Sequence, residues 1–106
     1  MLFIETAIFT KELPRYLTDD EYRQLQEFLI ERPESGVIIP GTNGLRKLRW
    51  VTSNRGKRGG VRIIYYWHVT ADQIYLLTLY PENEMSDLSP DEKKLLKQIV
   101  AGLKNG

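Results

Sequence analysis

Apolar residues recur with two different spacings along the chain, and the spacings predict strands and helices in a mixed order. Runs that alternate, or that are continuously rich in β-branched and aromatic residues, are typical of strands. They predict a first strand over residues 2–9 and later strands over 45–52, 61–69 and 74–80. Short connections join the three later strands, which favours an antiparallel meander.

Two capping boxes predict where helices begin. Thr18 stands three residues before Glu21, and Ser89 stands three residues before Glu92. In such a pair each side chain bonds the other residue's backbone amide. The first helix should extend to about residue 32, because a proline follows it. Its predicted apolar stripe comprises Tyr22, Leu25, Phe28 and Leu29, and that of the last helix comprises Leu95, Leu96, Ile99, Val100 and Leu103.

The order of these elements indicates an α+β fold in one domain spanning residues 1–106. Between the first strand and the first capping box, residues 10–17 contain a proline and predict at most a short helical turn. Residues 33–44 predict a loop, in which the apolar tripeptide at 37–39 contacts the core. We therefore expect a small, mostly antiparallel sheet with one or two N-terminal helices and a C-terminal helix.

Charge is distributed unevenly, although the formal net charge is only +1. No Asp or Glu occurs from residue 35 to residue 71, whereas this window holds seven Lys and Arg residues. Surfaces that simply face water mix both signs of charge. The asymmetry therefore favours one basic face that binds a polyanion, and nucleic acid is the polyanion it suggests.

Composition argues against several classes of site. Without cysteine there can be no disulfide, thiolate nucleophile or cysteine zinc site, and a single histidine argues against other metal centres. No run of about 18 apolar residues predicts a membrane span. The first residues reach Glu5 without a basic leader, so no signal peptide is expected. These features favour a cytoplasmic protein without a cofactor and without membrane attachment.

Strand alternation sorts the basic residues by face. Lys47 and Arg49 share one face of their strand, and Arg46 lies on the other. If Arg62 on the next strand faces the same side as Lys47 and Arg49, three cations converge. Such a group, here named the cation triad, can bind a scissile phosphate and stabilise its transition state. The hypothesis requires that the triad lie on one side of the sheet and not be neutralised by carboxylates of the same chain.

The basic hairpin also has a plainer interpretation, in which arginine stems cover apolar neighbours and their charges face water. For Arg55, Lys57 and Arg58 the alternatives are a solubilising loop or phosphate contact, which the neighbouring glycines favour because they let a backbone approach closely. His68 can act as a general base. However, it lies about 20 Å along the strand from Arg62, so a structural role is favoured.

Two further clusters have competing interpretations. Aromatic residues in a central strand can stack on bases, but they more commonly belong to the core. Acidic residues after the last strand can form a weak metal site, but they more commonly form a turn. These clusters are Tyr65, Tyr66 and Trp67, and Glu82, Glu84 and Asp87.

Four segments together resemble the HigB branch of the RelE-like toxins. They are GTNGLRKLRW at 41–50, GKRGGVRIIYY at 56–66, YPENEMSDL at 80–88 and YLTDDEY at 16–22. The resemblance spans nearly the whole chain and implies a RelE-like fold.

This resemblance implies the toxin of a type II toxin–antitoxin pair, which cuts mRNA in the ribosomal A site without a metal and uses the message's 2′-hydroxyl as nucleophile. The implied partners are a cognate antitoxin with a helix-turn-helix, the 70S ribosome and mRNA. The implied catalytic residues are Lys47, Arg49, Arg62 and Asn83, and the implied RNA- or ribosome-binding residues are Arg46, Arg55, Lys57 and Arg58.

The sequence departs from the family pattern near its end. HigB-type sequences have lysine where this chain has Glu82, and the arginine and tyrosine of the RelE branch fall on Asn83 and Ser89. The usual tyrosine acid/base therefore has no counterpart. Proton transfer would fall to Lys47, to ribosomal groups or to no efficient group. The alternative function is a non-catalytic module of the same fold that binds nucleic acid or the ribosome.

Overall fold

A five-stranded sheet is the centre of the described part of the protein. The structure is a computed structural model that describes residues 1–51, 60–82 and 88–105. The strands lie in the order β1-β5-β4-β3-β2. In chain order the elements are β1 (Leu2–Glu5), α1 (Ala7–Tyr16), α2 (Asp19–Glu31), β2 (Val37–Ile38), β3 (Leu45–Trp50), β4 (Val61–His68), β5 (Gln73–Pro81) and α3 (Pro90–Asn105).

The α+β class and the meander are confirmed. Strands β3, β4 and β5 pair antiparallel in succession, and β1 pairs parallel with β5 at one edge. The loop predicted over residues 33–44 contains a short additional strand, β2, which pairs with β3 at the other edge. Within it Val37 and Ile38 are exposed, whereas Ile39, the next residue, is buried as predicted. Apolar content alone therefore does not distinguish an edge strand from a loop that contacts the core.

The first strand is shorter than predicted, because the chain turns into a helix after Glu5. The Thr6 hydroxyl accepts a hydrogen bond from the Phe9 amide at 3.1 Å, which caps α1. The same hydroxyl donates to the Leu77 carbonyl on β5 at 2.7 Å. This second bond joins the helix start to the sheet, so a contact distant in sequence decides where β1 ends.

Helix α1 is a ten-residue helix rather than a short turn, and it contains Pro14. Proline lacks an amide hydrogen, so the carbonyl four residues earlier, at Thr10, loses its helical partner. Both residues are exposed, and water can therefore solvate that carbonyl. The helix ends two residues after the proline, which limits the disruption to its last turn.

Two apolar cores lie on opposite faces of the sheet. On one face, α1 and α2 pack Phe9, Leu25 and Leu29 against β4 and β5. On the other, α3 contributes Leu96 and Val100. Both capping boxes are present. The predicted stripe of α3 is wider than its buried part, because Leu95 and Ile99 are exposed.

A β-bulge in the pairing of β4 with β5 changes which β5 residues face α3. Ile64 pairs with Thr78, but the next residue, Tyr65, pairs with Leu76, so one residue of β5 is extra. On the N-terminal side of the bulge, even-numbered residues of β5 belong to the core that α1 and α2 cover. On its C-terminal side, the even-numbered Tyr80 belongs to the core that α3 covers. Tyr80 consequently lies opposite Arg62.

One buried hydroxyl connects the loop after α2 to the sheet. Tyr65 is fully buried, and its hydroxyl accepts a hydrogen bond from the Gly36 amide and donates one to the Pro33 carbonyl, both at 2.8 Å. A Cβ atom at Gly36 would lie 2.8 Å from the Tyr65 ring. The loop backbone can therefore approach the ring this closely only with glycine at that position.

We predict that Tyr65→Phe lowers the free energy of unfolding by about 1–3 kcal/mol, because a buried amide and a partly buried carbonyl each lose a partner. Tyr75→Phe is the matched control. The Tyr75 hydroxyl donates to the partly buried Gln73 side chain, and its loss should cost less than about 0.5 kcal/mol. Urea denaturation with unchanged m-values measures both changes. Equal losses in the two variants would contradict the role of the Tyr65 hydroxyl.

Candidate functional site

The structure places the cation triad on one side of the sheet. Arg49 pairs directly with Arg62 across β3 and β4, and Lys47 pairs with Ile64 two residues further along. Directly paired residues point to the same face. Ile64 lies in the α3 core, so the triad shares the face of the sheet that α3 covers. The first requirement of the sequence hypothesis is therefore met.

The second requirement is not met, because Glu82 pairs with two members of the triad. Its Oε2 lies 3.0 Å from Nε of Arg49, and its Oε1 lies 3.8 Å from Nη2 of Arg62. The expectation that the triad escapes neutralisation by the chain's own carboxylates is therefore wrong for these two arginines. The physical reason is that like charges paired directly across strands repel, and an intervening carboxylate relieves that repulsion.

The ion pairs are unequal in their exposure to water. The side chains of Arg62 and Glu82 are 22% and 20% exposed, whereas that of Arg49 is 63% exposed. Water and salt therefore screen the Arg49 contact more strongly.

The backbone of Glu82 is held at the end of the sheet. Pro81 pairs with Val61, and the Glu82 amide donates to the Gly60 carbonyl at 3.2 Å. Gly60 has a φ of 82°, and a Cβ atom there would lie 2.2 Å from the Trp50 carbonyl oxygen. Only glycine fits this position. The position of the Glu82 backbone is therefore fixed relative to β3 and β4.

Arg46 lies on the opposite face from the triad. Its Nη1 donates to the carbonyls of Glu34 and Gly36 at 2.8 and 2.9 Å. These bonds connect the loop after α2 to β3, beside the Tyr65 hydroxyl. The geometry shows a structural role for Arg46, and its role in RNA binding stays a prediction.

His68 lies at the far end of β4, where it pairs with Gln73, whereas Arg62 pairs with Tyr80. Its ring stacks on Tyr66 with a centroid distance of 6.1 Å. The structure therefore does not bring His68 to the triad.

The aromatic residues of β4 belong to the two cores. Tyr65 and Tyr66 are buried on opposite faces, and Trp67 packs partly buried beside α1 and α2. Burial raises the pKa of Tyr66, so its phenol holds its proton at neutral pH. The rings at these positions are therefore not open for stacking on a nucleic-acid base.

Several predicted residues lie outside the described residues. Among the catalytic residues this applies to Asn83, and among the basic residues to the loop between β3 and β4. It also applies to part of the acidic cluster after β5. The residues concerned are Arg55, Lys57, Arg58, Asn83, Glu84 and Asp87.

Other kinds of site are not found in residues 1–51, 60–82 and 88–105. In these ranges no group of three or more His, Asp or Glu side chains is arranged to hold a metal ion. None of the helices described there has both the length and the apolarity to cross a membrane. Two shallow apolar cavities flank α3, and one is lined by Ile4, Leu77, Ile99 and Leu103. They lie against α3 and do not include the triad.

Sequence patterns alone do not identify Glu82 as part of the site. They indicate an acidic turn and a departure from a family lysine at this position. A usable signal was its position immediately after β5, at the end of the sheet where β4 begins and Arg62 is its second residue. The side of the sheet on which the Glu82 side chain lies could not be derived from the sequence, because the bulge reverses the alternation of β5 before the strand ends.

No protein-family model matches the sequence. Among solved structures, the fold is similar to a doubly substituted E. coli toxin RelE in the free state, with a TM-score of 0.57, 17% identity, and coverage of 80% of this chain and 86% of that chain. It is also similar to the intact E. coli RelBE toxin–antitoxin complex, with a TM-score of 0.52, 18% identity, and coverage of 74% and 92%. These likenesses establish a RelE-like fold, and the HigB branch stays a prediction.

We predict that Glu82→Gln lowers the melting temperature at low ionic strength, because Arg49 and Arg62 then repel each other without an intervening carboxylate. Sulfate should restore stability more in this variant than in the wild type, since an anion bound only by the folded state stabilises it. Thermal melts in sulfate, and in sodium chloride at equal ionic strength, measure the difference.

The matched control is Glu12→Gln, which breaks an ion pair of 3.4 Å with Arg15 on α1. It should change neither the low-salt stability nor the sulfate response by a comparable amount. Equal sulfate responses in all three proteins would contradict an anion site between Arg49 and Arg62.

Proposed function

We propose that this chain is the toxin of a type II toxin–antitoxin system, a ribosome-dependent endonuclease that cuts mRNA without a metal ion. In this proposal Lys47, Arg49 and Arg62 bind the scissile phosphate, while Asn83 completes the catalytic set. The basic loop residues Arg55, Lys57 and Arg58 bind RNA or the ribosome. The partners are a cognate antitoxin, the 70S ribosome and mRNA, in the cytoplasm.

The observation that carries the proposal is the pairing of Arg49 with Arg62, with Lys47 on the same face. Three cations lie on two adjacent strands whose backbones are fixed by hydrogen bonds, with Glu82 paired to two of the three. A phosphodiester acquires additional negative charge as it passes through a pentacoordinate transition state. Preorganised cations stabilise that charge without having to rearrange.

The likeness of the fold supports a toxin rather than another phosphate-binding protein. One similar structure is a toxin, and the other is a toxin–antitoxin complex. A fold alone does not specify chemistry, so the likeness is useful only together with the triad. An antitoxin partner is proposed on the same combined basis.

A second function is favoured by one specific observation. Glu82 partly neutralises Arg49 and Arg62, which weakens the field available to a transition state. A non-catalytic module that binds RNA or the ribosome needs only moderate phosphate affinity. The two functions differ in whether the bound message is cut.

We expect that inducing this chain in a bacterium without an antitoxin arrests growth and cuts translated messages within the ribosomal A site. Arg62→Ala should relieve the arrest and lower the cleavage rate on programmed ribosomes by about 10²–10³-fold, as loss of a preorganised charge-stabilising group does. Colony counts, mapped message ends and single-turnover cleavage measure the effects.

Arg23→Ala is the matched control for the loss of one arginine. Arg23 is 68% exposed and pairs with Asp20 on α2, away from the triad. This variant should arrest growth as the wild type does. Thermal melts of each variant exclude unfolding as the cause of any loss. If cells that express the wild-type chain grow normally and their messages stay intact, the endonuclease proposal is refuted.

The binding-module alternative predicts RNA binding without cleavage. The logarithm of its affinity for single-stranded RNA should decrease linearly with the logarithm of the salt concentration. The slope should be about −0.7 for each phosphate contact. Substitution of Lys47, Arg49 or Arg62 should weaken binding to a similar extent. Cleavage that disappears in Arg62→Ala would reject this alternative.

A further inference from the structure

Glu82 occupies the position between Arg49 and Arg62 where the proposed function places a phosphate. Its carboxylate oxygens lie 3.0 Å and 3.8 Å from nitrogens of the two arginines. An RNA phosphate that binds both guanidinium groups must therefore displace this carboxylate. Because the Glu82 amide is bonded to Gly60, the backbone remains in place and only the side chain moves away. The displaced carboxylate then stays next to the bound phosphate.

The sequence provides no family tyrosine for proton transfer, and the described residues supply few substitutes. Ser89, which falls at the tyrosine position, caps α3 by accepting from the Glu92 amide at 3.1 Å. His68 lies at the other end of β4. The buried Tyr66 has a raised pKa. Among the residues that the structure describes, Glu82 is an acid–base group that contacts two members of the triad. Lys47 is the competing candidate for the proton acceptor.

We propose that Glu82 is the general base of RNA cleavage, because its carboxylate lies between the two arginines that bind the scissile phosphate. This inference rests on the proposed function. It assigns the proton acceptor that the family resemblance leaves unassigned. Substrate binding separates the Glu82 carboxylate from the two guanidinium groups and leaves its oxygens available to the 2′-hydroxyl.

The step balances without any further reactant. Glu82 accepts the proton of the 2′-hydroxyl, and the 2′-oxygen forms a bond to phosphorus. The bond from phosphorus to the 5′-oxygen breaks, leaving a 2′,3′-cyclic phosphate. The 5′-oxygen takes a proton from the Lys47 ammonium or from water and leaves as a hydroxyl. Glu82 then releases its proton to solvent, and Lys47, where it was the donor, takes up a proton from solvent.

A purely inhibitory role for Glu82 makes the opposite prediction. If the carboxylate only competes with phosphate, removing its charge should speed cleavage. If it is the base, Glu82→Gln should bind the message at least as tightly and cut it much more slowly. The relation between binding and rate therefore distinguishes the two roles.

The experiment uses the full chain on programmed ribosomes. Affinity is measured with a message that carries a 2′-deoxy nucleotide at the cut site, and rate is measured by single-turnover cleavage of the normal message. We expect Glu82→Gln to keep or increase affinity and to cut about 10²–10⁴-fold more slowly, the range for loss of a general base. Glu82→Asp, which retains the carboxylate, should recover part of the rate. Glu12→Gln should match the wild type.

A message whose leaving 5′-oxygen is replaced by sulfur separates a base from an acid. Sulfur leaves without protonation, so a defect in the base persists and a defect in the acid disappears. We expect the Glu82→Gln defect to persist. Its disappearance would overturn the assignment, and so would cleavage by Glu82→Gln at or above the wild-type rate. A fast Glu82→Gln variant beside a slow Lys47→Ala variant would overturn the assignment to Glu82 and leave Lys47 as the candidate base.

The outcomes distinguish failure of this inference from failure of the proposed function. If the wild type does not cut messages on ribosomes, the endonuclease proposal fails, and the base assignment fails with it. If the wild type cuts and Glu82→Gln cuts equally fast, only the base assignment fails. Thermal melts confirm that Glu82→Gln is folded under the assay conditions.

Discussion

The site depends on two arginines that face each other across adjacent strands. Directly opposed like charges destabilise a sheet, so Arg49 and Arg62 must be held together by other interactions. The register of β3 and β4 does this, because Leu45 and Ile64 are buried in one core and Ile63 in the other. A slip by one residue would turn each of these side chains to the wrong face. Apolar packing thus sustains an electrostatic arrangement that is unfavourable by itself.

Glu82 connects the stability of this arrangement to its chemistry. In the free protein its carboxylate relieves the repulsion between the arginines, and it is held at the site by Gly60 and the end of β5. In the proposed function, a substrate phosphate would supply the same negative charge and replace the Glu82 carboxylate. Functional sites commonly retain such conflicts between stability and activity.

The fold supplies the frame, and a few side chains determine what it can do. The similar RelE structures, at 17% and 18% identity, share the fold, and in this sequence an acidic residue, Glu82, lies beside the triad. The β-bulge between β4 and β5 brings the end of β5 onto the face of Arg62. A shift of one residue in the pairing of β4 with β5 therefore determines which side chain contacts the arginines.

Local patterns in the sequence determined the element types, because periodicity and capping boxes act over a few residues. They predicted α2 and α3, the meander, and the common face of Lys47 and Arg49. They predicted at most a short turn where α1 lies and missed β2, because α1 depends on the Thr6–Leu77 bond and β2 on pairing with β3. Only the tertiary structure decided that Arg62 joins the triad, that Arg46 bonds the opposite loop, and that Glu82 meets the arginines. Each of these depends on strand register and on a bulge, which arise from contacts between residues distant in sequence.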